Sequence, residues 1–446
     1  MLAGYCSTIT NVDAPIIRLI FFLGAAATAL AQTPLERSSA IQALGQWSSV
    51  CEKDGLLLWN KSLCGPMLLV DASSRSAIAN RPDPDGTFRQ QGGVYVGVLP
   101  AQFSPSNTSI RWGQQNWSMV ILPLPNDPFI RLGLLAHESF HRIQPDLGLS
   151  ASDAPDPALD TEAGRLWMRM ELRALGRALR SEDSPGRQSA MDAMLFRTYR
   201  DQLCPGTERM EAAMEKQEGL AEYTGVFIAL RETGESISRE ARIVEAFEDS
   251  NAYARSFGYA IGPALGLLLD RYGPGWRTGI AKAESLDSML VTALKFQSPR
   301  DVQRLASERA KLYGYPAVAS AESEREERHR ALLAELKTKF VDGPTLDFAS
   351  APEMNRNFNP QTLVPFPPYG TFYPTGMFAA SWGKLEVQSG GALVAPDNRS
   401  LRVPAPSDVD ARPVRGPGWI LQLAPGWTIQ RAQRAGSYVV RPPEQK

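Results

Sequence analysis

Histidines four residues apart lie one turn apart on the same face of a helix. The segment His137-Glu138-Ser139-Phe140-His141 uses two of the three histidines in a chain of 446 residues. Its flanks fit a buried helix, with Phe129, Ile130, Leu132, Leu134, Leu135 and Phe140 supplying apolar faces. Asp127 followed by Pro128 predicts its start, a capping side chain and then proline in the first turn. The bland reading is one ordinary turn of an amphipathic helix. The scarcity of histidine favours a metal site.

Zinc suits two neutral imidazoles, and its catalytic sites use three protein ligands and leave a position open. Glu138 points to the same side, where a carboxylate can take a proton from a metal-activated water and pass it to a leaving amine. This is the H-E-x-x-H pattern of zinc peptidases. Such a site still needs a third ligand, an oxyanion stabiliser, a place for substrate and a compartment.

The length allows two or three domains. A formal net charge of −1 lacks the basic excess of a nucleic-acid binder. Residues 1–31 read as a secretory signal peptide: Arg18, an apolar run from Leu19 to Leu30, and a small-x-small end at Ala29-Leu30-Ala31. The competing reading is an uncleaved anchor, for which the run is short. The expectation is an exported protein, periplasmic or extracellular, with no membrane span after cleavage. Export permits disulfides. Cys51 and Cys64 are the nearest pair, and three buried free thiols, Cys204 included, are the alternative.

Residues 32–125 predict a mostly β subdomain preceded by a short helix at 33–50. Its strand-like runs are Met67–Val70, Gly93–Val98 and Trp117–Leu122. Residues 117–122 are either an exposed edge that holds extended substrate by backbone hydrogen bonds or an interior strand. Residues 126–340 predict a mostly helical subdomain carrying the site. His329 falls in its charged run at 321–337 and reads as a surface residue. Residues 345–446, rich in proline and short strands, predict a separate β domain.

For the third ligand, Glu218 and Glu222 are four apart on one helical face in Glu215-Lys216-Gln217-Glu218-Gly219-Leu220-Ala221-Glu222-Tyr223. The alternative is a solvated acidic stripe, because Glu208, Glu211 and Glu215 share the spacing. The two segments together resemble the gluzincin metallopeptidases. That resemblance covers roughly residues 110–280 and implies an α+β, thermolysin-like catalytic domain with zinc held by His137, His141 and Glu218. It implies that Glu222 orients His137. It also matches Tyr259-Ala260-Ile261-Gly262 to a segment whose tyrosine stabilises an oxyanion, with Tyr253 as the runner-up. The stretch between His141 and Glu218 is longer than the family's usual gap. Either a helical insertion at about 155–205 explains it, or Asp160 or Glu162 is the ligand instead.

The functional expectation is an exported zinc metallopeptidase acting on a peptide or protein substrate, with Glu138 as general base and Tyr259 as oxyanion partner. The alternative is a degenerate, non-catalytic gluzincin-like protein that serves as a binding module. A serine hydrolase is disfavoured, as no G-x-S-x-G elbow occurs.

Overall fold

The computed structural model describes residues 34–149, 156–250, 253–348, 353–359 and 362–443. The expected signal peptide lies outside them. The fold is mixed α+β, with a helical middle and sheets towards both ends. No described helix is long and apolar enough to cross a membrane. The chain divides into two compact units, one ending at Ala319 and one beginning at Ser320.

In the first unit, helix α1 (Pro34–Asp54) precedes strands β1 (Met67–Asp71), β2 (Ser76–Ala79), β3 (Arg89–Gln91), β4 (Val94–Val98), β5 (Thr108–Trp112) and β6 (Gln115–Leu122). They form one sheet in the order β3-β4-β2-β1-β6-β5. β6 runs parallel to β1 and antiparallel to β5. Residues 117–122 are therefore an interior strand, and the edge beside them is β5. Cys51 and Cys64 are joined in a disulfide, and Cys204 is free.

Helix α2 (Pro128–Ile143) follows, capped by Asp127, whose carboxylate accepts from Phe129 N at 2.9 Å. Its buried side includes Leu132, Leu135, Ala136, Phe140 and Ile143, which pack in one core with Leu69 and Val120 of the sheet. Ser118 Oγ on β6 donates to the main-chain oxygen of Glu138 at 2.9 Å and pins α2 to the sheet.

Helices α3 (Glu162–Arg180) and α4 (Asp183–Leu203) then pack against each other and contribute Met168, Leu172, Ala193 and Phe196 to the same core. The stretch that lengthens the gap before Glu218 is thus part of the folding core. Next come α5 (Glu208–Met214), a π-helical turn at Glu215–Gly219, α6 (Leu220–Thr233), α7 (Ile237–Ala246) and α8 (Phe257–Tyr272).

Two helix crossings close on glycine. A Cβ on Gly225 of α6 would lie 2.6 Å from the main-chain oxygen of Gly133 on α2. A Cβ on Gly219, at the end of the π turn, would lie 2.9 Å from Gly262 Cα on α8. Backbones can approach this closely only where no side chain intervenes.

The remaining helices of this unit are α9 (Leu286–Leu294) and α10 (Val302–Ala310), and the division between the units falls within α11 (Tyr315–Leu336). The second unit holds two mostly antiparallel sheets, one of seven strands and one of five among the described residues. Phe348, Tyr373 and Val403 of the larger sheet share a core with Phe378, Leu385 and Trp419 of the smaller. A second cluster packs Leu336 and Phe340 against Phe366 and Leu393.

The α2–α6 crossing gives a test. Gly225→Ala should lower unfolding free energy by about 1–3 kcal/mol, the usual cost of overpacking. An unchanged denaturant midpoint would show that the backbones do not meet there.

Candidate metal centre

α2 places His137 and His141 on its cleft-facing side, with ring centroids 4.7 Å apart. The π turn and α6 bring Glu218 and Glu222 to them across the Gly133–Gly225 crossing. His137 Nε2 and His141 Nε2 are 3.0 Å apart. Glu218 Oε2 lies 3.5 Å from the first and 3.4 Å from the second. Ligand atoms placed tetrahedrally around zinc at ~2.0–2.1 Å are about 3.3 Å from one another. The triangle is therefore sized for a small ion, and two nitrogens with one carboxylate oxygen suit zinc. These three residues are the one group of potential metal ligands among the described residues. Asp160, Glu162 and His329 are not in it.

Each ligand has a partner behind it. His137 Nδ1 donates to Glu222 Oε2 at 2.8 Å, and His141 Nδ1 lies 2.8 Å from Gln144 Oε1. Tyr259 on α8 reaches the cluster across the Gly219–Gly262 crossing. Its hydroxyl donates to Glu218 Oε2 at 2.7 Å, and its ring stacks on His137 at 5.8 Å and 4°. Tyr253, the runner-up, donates instead to the main-chain oxygen of Glu248. Glu138 is buried beside the histidines, and its Oε2 has no hydrogen-bond partner among the described residues. That atom is an acceptor left unused beside the His137–His141–Glu218 triangle.

The surrounding cleft has a volume of about 570 Å³. One wall is apolar, with Leu122, Phe129, Ile130, Leu134, Val226 and Ile243. Asn107, Thr108 and Ser109, at and just before the start of β5, line it too. Among the described residues, no lysine or arginine lines it.

No family model, curated protein or solved structure matches this chain.

A buried ionic lattice supports the ligand turn from behind. Arg197 donates to Glu171 at 2.8 Å and to Glu215 at 2.6 Å. Arg200 pairs with Glu171 and, at 2.5 Å, with Glu211. All five side chains are buried. The acidic spacing at 211 and 215 is therefore not a solvated stripe. It faces two arginines of α4, and Glu215 belongs to the π turn that carries Glu218.

The carboxylates set the proton affinities. Burial opposes a charged His137, but hydrogen bonds to Glu218 and Glu222 outweigh it and hold its pKa well above the ordinary histidine value. Burial also opposes a charged Glu218, but the two imidazoles beside it, His137 first, hold its carboxyl well below the usual range. Burial pushes Glu138 up against the pull of the two histidines. Burial and the charge of Glu218 push Tyr259 well above a free phenol, so it stays a donor at neutral pH.

Two pH effects follow. Protons and a metal ion compete for His137 Nε2, and the raised pKa of His137 gives the proton the advantage as pH falls. Zinc affinity, read by competition with a chromophoric chelator, should fall steeply from alkaline through neutral to acid pH, with proton uptake by the buffer on loading. Affinity independent of pH would contradict the arrangement.

Glu240 on α7 is buried, both its oxygens lack partners among the described residues, and burial reinforced by the charge of Glu222 raises its pKa well above 4.5. The folded state therefore binds this proton more tightly than the unfolded state. Its contribution to stability is present below about 4.5 and is lost as pH rises towards the folded pKa. Glu240→Gln should remove that slope, so that urea unfolding at neutral pH shows the variant gaining on wild type relative to acid pH. Parallel pH profiles would contradict it.

Proposed function

We propose that the protein is an exported zinc-dependent metallopeptidase of gluzincin type, with a thermolysin-like arrangement in its first unit. The observation that carries the reading is the convergence of His137 Nε2, His141 Nε2 and Glu218 Oε2 beside a buried carboxylate oxygen of Glu138 that has no partner. A purely structural metal site has no use for such a base. The Cys51–Cys64 disulfide supports export, since such bonds persist in oxidising compartments.

When bound, zinc supplies Lewis acidity, which acidifies water and polarises a carbonyl. The side chains do the rest. Glu138 takes the proton of the attacking water at its open Oε2 and delivers it to the leaving amine nitrogen. The Tyr259 hydroxyl, kept protonated by its surroundings, donates to the oxygen on which negative charge develops. Glu222 holds His137 with its Nε2 turned to the ligand triangle. The outer edge of β5, the last strand of its sheet, offers main-chain groups at the half-buried Thr108 and Ser109 to an extended peptide.

Glu138→Gln should keep its zinc and lose peptide hydrolysis by about 10²–10⁴-fold, the span usual for general acid–base catalysis. Glu218→Ala should lose the metal itself, as measured by zinc content after gel filtration. Full activity in Glu138→Gln on a peptide library would sink the mechanism. A wild type that takes up no zinc would sink the enzyme.

A further inference from the structure

Gln144 follows directly on the last residue of α2 and is 2% exposed. Its Nε2 lies 2.9 Å from the main-chain oxygen of Lys216, 3.0 Å from that of Gln217 and 3.3 Å from that of Leu149. Main-chain carbonyls accept and never donate, so only the amide nitrogen can face all three. This fixes the other end of the carboxamide: its oxygen faces His141 Nδ1 at 2.8 Å. An acceptor there requires a hydrogen on Nδ1, and the lone pair of the neutral ring is then on Nε2. Nε2 is the atom turned towards His137 and Glu218.

Lys216 and Gln217 are the two residues before Glu218, inside the π turn. The same carboxamide thus grips the backbone that presents the third ligand. π turns inside helices recur at functional sites, and their main-chain carbonyls still need donors. Here a side chain from the histidine helix supplies one.

We propose that Gln144 is a positioning residue of the metal centre. One carboxamide selects the tautomer of His141 and ties α2 to the turn that carries Glu218, so two ligands are placed by one group. The proposal rests on the reading of the site as a metal centre. Glu222 serves His137 with a carboxylate, but a carboxylate at position 144 would set oxygen against three carbonyl oxygens. An amide is what the position demands.

The test uses the full chain and two readouts. Long-range proton–nitrogen NMR correlations of the imidazole rings report the tautomer in protein stripped by chelator, and three histidines make the spectrum assignable. His141 should carry its hydrogen on Nδ1. Gln144→Met, close in volume but unable to hydrogen-bond, should lose that preference and bind zinc about 10–100-fold more weakly in chelator competition. Wild-type His141 protonated on Nε2 instead overturns the proposal without any variant, and so does a folded Gln144→Met that binds zinc as tightly as wild type. A wild type that binds no zinc sinks the metal-centre reading and the role of Gln144 with it. Zinc held equally by both proteins sinks Gln144 alone.

Discussion

The cleft depends on two places where helices touch backbone to backbone. α2 meets α6 at Gly133 and Gly225, and α8 meets the π turn at Gly219 and Gly262. Side chains at these positions would spread the helices and draw His137 away from Glu222, or Tyr259 away from Glu218. Gly219 and Gly262 each stand next to or near a site residue in sequence. The two glycines meet each other, so both segments describe a single contact.

Behind that contact lies a group of charges with little access to water. Burying an ion pair seldom adds stability, since desolvation offsets the attraction, but leaving one member unpaired is costly. Arg197 and Arg200 with Glu171, Glu211 and Glu215 form such a set, and each carboxylate has at least one arginine. The set tolerates few alternative arrangements. It therefore acts as a register mark for the π turn, holding Glu215 inward while Glu218, most of a turn later, faces the cleft.

Much of this was legible in the sequence where a local rule decided it. The Asp127-Pro128 start, the i, i+4 histidines and the i, i+4 pair Glu218 and Glu222 needed only helical geometry. What failed to show depended on distant partners. Nothing local says that Glu211 and Glu215 meet arginines of α4. β5 was missed because Thr108–Trp112 is neither apolar nor cleanly alternating, and without it β6 could pass for an edge. α7 is short and rich in charge, and nothing local in its sequence says that Glu240 is buried. Gln144 is a single amide at a helix end, where no repeat or spacing marks it.

The order of these parts along the chain has a consequence for synthesis. α2 comes first in the chain with both imidazoles, and Glu218 follows only after α3 and α4. α4 carries Arg197 and Arg200, which pair with the turn that presents Glu218, and α3 carries Glu171 between them. The group of His137, His141 and Glu218 is therefore complete only once the whole helical layer has docked. A chain cut short within α4 would carry the recognisable histidine motif and still lack a place to hold a metal.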